Sequence, residues 1–244
     1  SDGIFKSTDG GETWHDITPW DIIPKIDEWS DRKTLFVYSF AINPTDTKKI
    51  FAGTSEGVLR SFDGGISWQL LGPRDNNDRN ITVLCIKIDP VSSEVVYIGT
   101  KYFGMFRSED EGLKWKNIGF MTCTVSTFSV NPKNPEEIIV GTLSKLIELA
   151  DKGSPFTPSD SGLFISADGG TLWQKVSLAS SDNYSFLSIF HNSSNPENVF
   201  AVALFYIGLN EYTNQWIYFP VFLESTDGGV TWKTTDTPKT ILSM

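Results

Sequence analysis

Short apolar runs, most of them alternating with polar positions and each closed by Gly, Asn, Asp or Pro, recur along the whole chain. Phe40-Ala41-Ile42-Asn43-Pro44, Ile86-Lys87-Ile88-Asp89-Pro90 and Phe128-Ser129-Val130-Asn131-Pro132 share one shape, and Ile189-Phe190-His191-Asn192 is a looser fourth copy. The period of two predicts a strand, and the Asx-Pro pair predicts the turn that ends it. A second apolar run follows each: Lys49–Thr54, Val95–Thr100, Ile138–Thr142 and Val199–Ala203. A third run stands at Gly3-Ile4-Phe5-Lys6, Gly57-Val58-Leu59-Arg60 and Gly162-Leu163-Phe164-Ile165. Helix is expected to be minor, confined if anywhere to 144–151.

The third run leads each time into the pattern Ser-x-Asp-x-Gly-x-x-Trp, at 7–14, 61–68, 108–115, 166–173 and 225–232. Its aspartates are Asp9, Asp63, Asp110, Asp168 and Asp227, and its tryptophans are Trp14, Trp68, Trp115, Trp173 and Trp232. The aspartates follow one another at steps of 47 to 59 residues, a period that marks a propeller, solenoid or array. The Asp carboxylate is expected to accept N–H groups of its own turn, and Gly supplies positive φ there without steric cost. Each Trp is expected to open a fourth strand and to bury its ring between layers. Four strands per repeat make a propeller blade.

The box resembles the Asp-box, or bacterial neuraminidase repeat, of sialidases, xyloglucanases, sortilin-type receptors and photosystem-assembly propellers. The resemblance implies an all-β propeller of four-stranded antiparallel blades, with each box in the turn between third and fourth strands. It also implies that all five boxes are structural and lie away from the active face. Fold and activity are separable in such scaffolds, so the motif identifies a blade and leaves the chemistry open.

The repeat also frames the ends. The chain opens on a third strand at Gly3 and closes on Thr240-Ile241-Leu242-Ser243-Met244, which aligns with Thr82-Val83-Leu84-Cys85-Ile86 in a first strand. Residues 1–244 therefore read as one propeller segment of four complete blades with partial blade strands at both ends. The two remnants fit a small closed ring lacking one strand, or a segment of a larger ring. Further blades of the same chain or a neighbouring subunit are the expected partners at these edges.

Composition narrows the partners. The net charge of −10 argues against a nucleic-acid backbone, which calls for clustered Lys and Arg. No stretch has the length of apolar sequence that a helical membrane span requires. The two cysteines, Cys85 and Cys123, read as buried thiols, and His15 and His191 lack companions at ligand spacing, so neither a metal nor a cofactor is expected. Sequons at Asn80, Asn183 and Asn192 agree with an extracellular or cell-surface protein.

Insertions at 16–34, 72–80, 144–161 and 205–220 fall on the face opposite the boxes. Inserted loops on a rigid scaffold are where function concentrates. All three tryptophans outside the boxes, Trp20, Trp29 and Trp216, lie on them. With Tyr102 and Phe103 on a shorter equivalent loop, and with Tyr212, they form the expected ligand surface, suited to stacking a sugar or burying a partner residue. Glycoside hydrolysis needs two carboxylates across the scissile bond. Asp21, Asp27, Asp75, Asp160 and Glu211 are candidates, but spacing singles out no pair. An Arg-Ile-Pro segment of the sialidase kind is absent. On residues alone the expectation is a non-catalytic extracellular propeller that binds a glycan or protein, with a xyloglucanase- or sialidase-like glycoside hydrolase as the alternative.

Overall fold

The computed structural model describes residues 3–25, 33–143, 161–178, 183–209 and 216–235. Thr240–Met244 and 144–151 lie outside them. Among the described residues there is no α-helix, and the strands form four four-stranded sheets and one pair. The pair is β1 (Phe5–Lys6) with β2 (His15–Asp16). The first full sheet orders β3 (Val37–Ile42), β4 (Ile50–Thr54), β5 (Gly57–Ser61) and β6 (Gln69–Leu71). The second orders β7 (Val83–Ile88), β8 (Val96–Thr100), β9 (Met105–Ser108) and β10 (Lys116–Gly119). The third orders β11 (Val125–Val130), β12 (Ile138–Thr142), β13 (Leu163–Ser166) and β14 (Gln174–Lys175). The fourth orders β15 (Tyr184–His191), β16 (Val199–Leu209), β17 (Trp216–Ser225) and β18 (Lys233–Thr234). Sequential strands are neighbours throughout, which is the meander of a propeller blade.

The first two strands of every blade repeat one irregularity. The register slips between Val37 and Ser39, Val83 and Cys85, Val125 and Thr127, and Phe186 and Ser188. A bulge bends a strand and sharpens its twist. Here it falls at the same place in each innermost strand. Across from it, second-strand glycines let the next blade approach. A Cβ on Gly53 would lie 2.9 Å from the Val83 side chain, and one on Gly141 would lie 2.4 Å from Cβ of Phe186.

Two compact units divide the chain: Ser1–Lys101 with Phe106–Asn117, and Tyr102–Met105 with Ile118–Met244. In the first unit, Phe51 and Ala52 are adjacent on β4, point to opposite faces, and are both fully buried. Phe51 joins Val58, Val83, Ile86, Val96 and Ile98, while Ala52 joins Ile4, Ile23, Leu35, Leu59 and Trp68. In the second unit, Ile139, Leu163, Phe186, Ile189, Val199 and Leu223 pack together. Middle strands with no solvent face read as continuous apolar runs, as they do in the sequence.

The boxes are closed hydrogen-bond circuits. Ser61 Oγ donates to Asp63 Oδ1 (2.8 Å) and accepts from Gly65 N (2.8 Å). Asp63 Oδ1 then accepts from Ile66 N and Ser67 N, and Oδ2 accepts from Ser67 Oγ at 2.5 Å. The same Ser-to-Asp and Gly-to-Ser bonds recur at Ser7, Ser108, Ser166 and Ser225. The third box departs in one residue: Glu111 stands where the others have Gly, and it keeps a left-handed φ of 57°. In return its carboxylate binds Lys49 Nζ at 2.6 Å and its carbonyl accepts from Arg60 Nη1 at 2.7 Å, fastening the box to the preceding blade.

The expectation that every box Trp is largely buried holds for Trp68 and fails for Trp14. Trp68 is 9% exposed, Trp115, Trp173 and Trp232 are half-buried, and Trp14 is 62% exposed. Trp68 Nε1 donates to Ile17 O and Trp173 Nε1 to Ile118 O, the carbonyl three residues beyond the preceding box Trp in each case. The ring therefore covers the previous blade rather than its own. Trp14 follows no earlier blade among the described residues, and its Nε1 turns back to Gly11 O. Cys123 is buried as expected and Cys85 is half-buried, and burial of its sulfur pushes Cys85 up to about 12.

Two outcomes follow from this packing. Trp68→Ala removes a ring that spans two blades and is expected to cost about 3–5 kcal/mol of unfolding free energy in a denaturant titration. Hydrogen bonds hold the box carboxyls down: Asp63, bonded by Ser67 and Ser61, and Asp227, bonded by Thr231 and Ser225, each lie at about 2, with the hydroxyl at the box's seventh position the leading cause. A depressed folded-state pKa contributes stability above the unfolded value near 4, and that contribution is lost as pH falls through the folded value. Asp63→Asn should therefore lower stability at neutral pH and flatten the acid limb between about pH 4 and pH 2, read from melting curves across that range.

Candidate functional site

The loop after β2 is the best described of the expected binding loops. Trp20 is half-buried and packs on the cluster of Ile4, Ile23 and Leu35. Its Nε1 donates to Asp16 Oδ2 at 3.4 Å, and its carbonyl accepts from Lys33 Nζ. Most of this ring therefore closes the base of its own loop. Trp29 and Tyr212 lie outside the described residues. Tyr102 and Phe103 are half-buried on the turn between β8 and β9. Tyr102 takes a φ of 68°, its N–H donates to Thr124 Oγ1, and Gly104 N donates to Cys123 O, so the turn is seated on the 119–124 segment.

The 205–220 insertion is mostly a strand ribbon rather than a loop. β16 and β17 stay paired through Phe205↔Phe219, Tyr206↔Tyr218, Gly208↔Ile217 and Leu209↔Trp216. The signal was in the sequence: Val199 to Leu209 contains no turn residue other than Gly208. Cross-strand ring pairs stiffen it. Tyr206 and Tyr218 have centroids 5.4 Å apart, Phe205 and Phe219 are 6.4 Å apart, and Tyr184 closes on Phe205 at 4.9 Å. Cross-strand aromatic pairs of this kind stabilise a two-stranded ribbon. Asn183 Nδ2 anchors it by donating to Tyr206 O at 2.9 Å. Tyr206 is buried, whereas Tyr218, Ile207 and Ile217 are exposed. Of the expected ligand residues only Trp216 falls on this ribbon, at its tip pair; Tyr218 is the exposed ring that the residue count passed over.

In the first unit a cavity of about 440 Å³ opens between the loop after β2 and the second box. Lys6, Asp16, Thr18, Asp21, Ser67 and Trp68 line it. Lys6 Nζ donates to Gly64 O at 2.7 Å, and Thr18 holds Asp16 below the usual carboxylate range. Carboxylate, ammonium and hydroxyl groups around one opening suit a hydroxyl-rich ligand.

The candidate acids separate on geometry. Asp75 accepts from Asn77 N, Arg79 N and Arg79 Nε, and pairs with Arg79 Nη2 at 2.7 Å. These bonds, led by the Arg79 backbone N–H, lower its pKa and commit it to its own loop. A general acid must carry a proton at the working pH, so Asp75 and Asp16 are unsuited to that role. Asp21 is exposed at the cavity. Asp27, Asp160 and Glu211 lie outside the described residues. Among the described residues no cluster of three or more His, Cys, Asp or Glu could hold a metal ion.

Comparison with known proteins bears on this geometry. The model of the BNR/Asp-box repeat matches residues 5–16 and 59–70. Xyloglucanase Xgh74A of Acetivibrio thermocellus is 25% identical over 264 residues, covering 94% of this chain and 28% of that protein. The crystal structure of an ancestral GH74 enzyme aligns with a TM-score of 0.64 at 22% identity, over 83% of this chain and 24% of that one. A structure of YCF48 bound to D1 peptide aligns with a TM-score of 0.51 at 15% identity, over 94% of this chain and 73% of that one. The chain thus spans about a quarter of the length of its xyloglucanase relatives. The curated relatives it resembles over most of its length include xyloglucanases, and the aligned structures share its propeller fold. The chain carries Asp-box repeats at the turns of four-stranded antiparallel blades, and its fold is that of the β-propellers it aligns with.

Proposed function

We propose that this chain is the glycan-holding part of a xyloglucanase-type glycoside hydrolase. The observation that carries the reading is the relationship to a xyloglucanase along 94% of the chain. It favours the hydrolase alternative over the non-catalytic binder that residue content alone suggests. In this reading the polymer is held by the β16–β17 ribbon and not by the box carboxylates, which are held in their turns. Tyr218 offers an exposed ring, and its partner Tyr206 is buried beneath the same pairing. A planar ring held on one side by cross-strand contacts loses little freedom when a pyranose face stacks on it. A polysaccharide substrate also fits an extracellular protein, since a polymer of that size is met outside the cell.

Hydrolysis requires a protonated acid and an ionised partner on either side of the bond. Among the candidate acids, Asp21 is the described one that is not held by a turn, and it lines a cavity large enough for part of a sugar chain.

The reading is tested by affinity electrophoresis of the chain in gels containing xyloglucan, with unsubstituted cellulose derivatives and a sialylated polymer as references. Xyloglucan should retard the protein most. Tyr218→Ala should weaken that retardation about tenfold, equivalent to about 1.4 kcal/mol, with an unchanged melting temperature. Migration indifferent to every glycan would end the proposal. Asp21→Asn should leave the retardation intact while lowering the release of reducing ends by a factor of about 10² or more; undiminished release would remove Asp21 from the chemistry.

A further inference from the structure

Where the repeat dictates a left-handed bend, this chain uses glycine: the fifth position of every box is a glycine of positive φ. Five described residues other than glycine also take a positive φ. Glu111 belongs to a box, and Asp78 is of a residue type that tolerates the region. The other three are Tyr102 at 68°, Phe120 at 61° and Thr122 at 78°. They are bulky or β-branched, and for such residues this backbone is costly. They fall in two segments of one compact unit, 102–104 between β8 and β9 and 119–124 between β10 and β11. Both segments stand at the end of β9 and β10 away from the box that joins those strands.

The two segments interlock. Gly104 N donates to Cys123 O at 3.1 Å, Tyr102 N donates to Thr124 Oγ1 at 3.2 Å, and Cys123 N closes its own turn on Phe120 O at 2.9 Å. A Cβ on Gly104 would lie 2.2 Å from Gly119 O, so no larger residue fits between the turns. Phe120 offsets its strain through its ring, whose centroid is 4.8 Å from that of Phe164 and 4.9 Å from that of Trp173. Packing therefore accounts for Phe120, but not for what its neighbours display. Met121, between two left-handed residues, is 66% exposed. Tyr102 and Phe103, on the opposed turn, are half-buried. Strain of this kind persists where a side chain must be held in place for a ligand.

We infer that these interlocked turns are a second glycan contact, made through Tyr102 and Met121 and set for an uncharged sugar. The inference rests on the glycan reading of the chain. Charge selects the ligand. No residue from Tyr102 to Met105 or from Asn117 to Pro132 is charged, in a chain whose net charge is −10. A charged ligand would lose water there without gaining a counter-charge. A neutral pyranose needs apolar surface for its C–H face and hydrogen bonds for its rim. The ring of Tyr102 and the thioether of Met121 supply the first, and the hydroxyls of Tyr102 and Thr122 supply the second. Because the turns are locked together before a ligand arrives, little backbone freedom is lost on binding.

The test is Tyr102→Gly in the full 244-residue chain, because glycine removes the ring and relieves the left-handed backbone in one step. Its retardation in gels containing xyloglucan should weaken about fivefold, while its melting temperature stays level or rises. A ring kept for packing gives the opposite pair, a lower melting temperature with retardation intact. Unchanged retardation overturns the inference whatever the melting temperature does. Met121 is exposed, so Met121→Ala leaves the fold alone and decides the case in which Tyr102→Gly lowers both readouts. Weaker retardation of Met121→Ala then upholds the contact, and unchanged retardation overturns it. Anionic carboxymethyl cellulose is the charge control: retardation by it that Tyr102→Gly removes would overturn the assignment to an uncharged sugar. Xyloglucan retardation that Tyr218→Ala weakens and Tyr102→Gly does not would sink this contact and leave the glycan reading standing. A wild-type chain that no glycan retards ends the reading, and this contact with it.

Discussion

The constraint on which this structure depends is that the middle strands of a blade have no solvent face. Phe51 and Ala52 are consecutive, point opposite ways, and are both buried, so a single blade cannot satisfy its own surface. Each blade is stable to the extent that a neighbour lies on either side, which is the nearest-neighbour logic of repeat proteins. Small details serve that requirement. Second-strand glycines let backbones come close, first-strand bulges set the twist, and box tryptophans reach back to the preceding blade's carbonyls. The exposure of Phe40 and Trp14 obeys the same rule from its other side.

The Asp-box supplies the second requirement, a turn that holds its shape at the rim. The carboxylate there gathers two to four donors, the Ser hydroxyl gathers another, and a left-handed glycine completes the bend. Charge-assisted bonds of this kind keep the aspartate ionised to low pH. Glu111 shows how much latitude remains. A non-glycine residue tolerates φ of 57° there because Lys49 and Arg60 hold both its side chain and its carbonyl. The box is therefore a fastener between blades as well as a turn within one. Residues so fully committed have no valence left for a substrate, which agrees with placing function elsewhere.

The blade was legible in the sequence because each of its parts has a local cause. Alternation gives strands, Asx-Pro gives the turn after the first strand, and Asp-Gly-Gly gives the box. What was not legible depends on what lies beside a residue. Trp14 and Trp68 have the same motif around them, yet one is exposed and one buried, since β1, β2 and Ile17 lie before the box of Trp68 while among the described residues no such strands lie before the box of Trp14. Phe40 and Ile86 differ in the same way. On the binding side, counting tryptophans picked out Trp20, whose ring is spent on Ile4 and Leu35. It also overlooked Tyr218, whose exposure follows from a ribbon that strand continuity between Val199 and Leu209 could have revealed. Asp75 looked like a loop acid until Arg79 and two backbone amides were seen to occupy it.

These outcomes share one direction. Groups that the repeat dictates are saturated by their neighbours, whether the box carboxylates, the inner glycines or the buried aromatics. Groups with unspent surface, such as Tyr218, Ile217 and Asp21, lie where the chain departs from the repeat. A propeller can vary those departures without cost to its core, because no blade interface runs through them. The ribbon illustrates the economy of this arrangement: β16 and β17 leave the blade as ordinary second and third strands, and their continued pairing carries aromatic rings outward with the rigidity of the sheet. A substrate surface built in that way inherits its precision from the blade while owing nothing to the box that defines the blade.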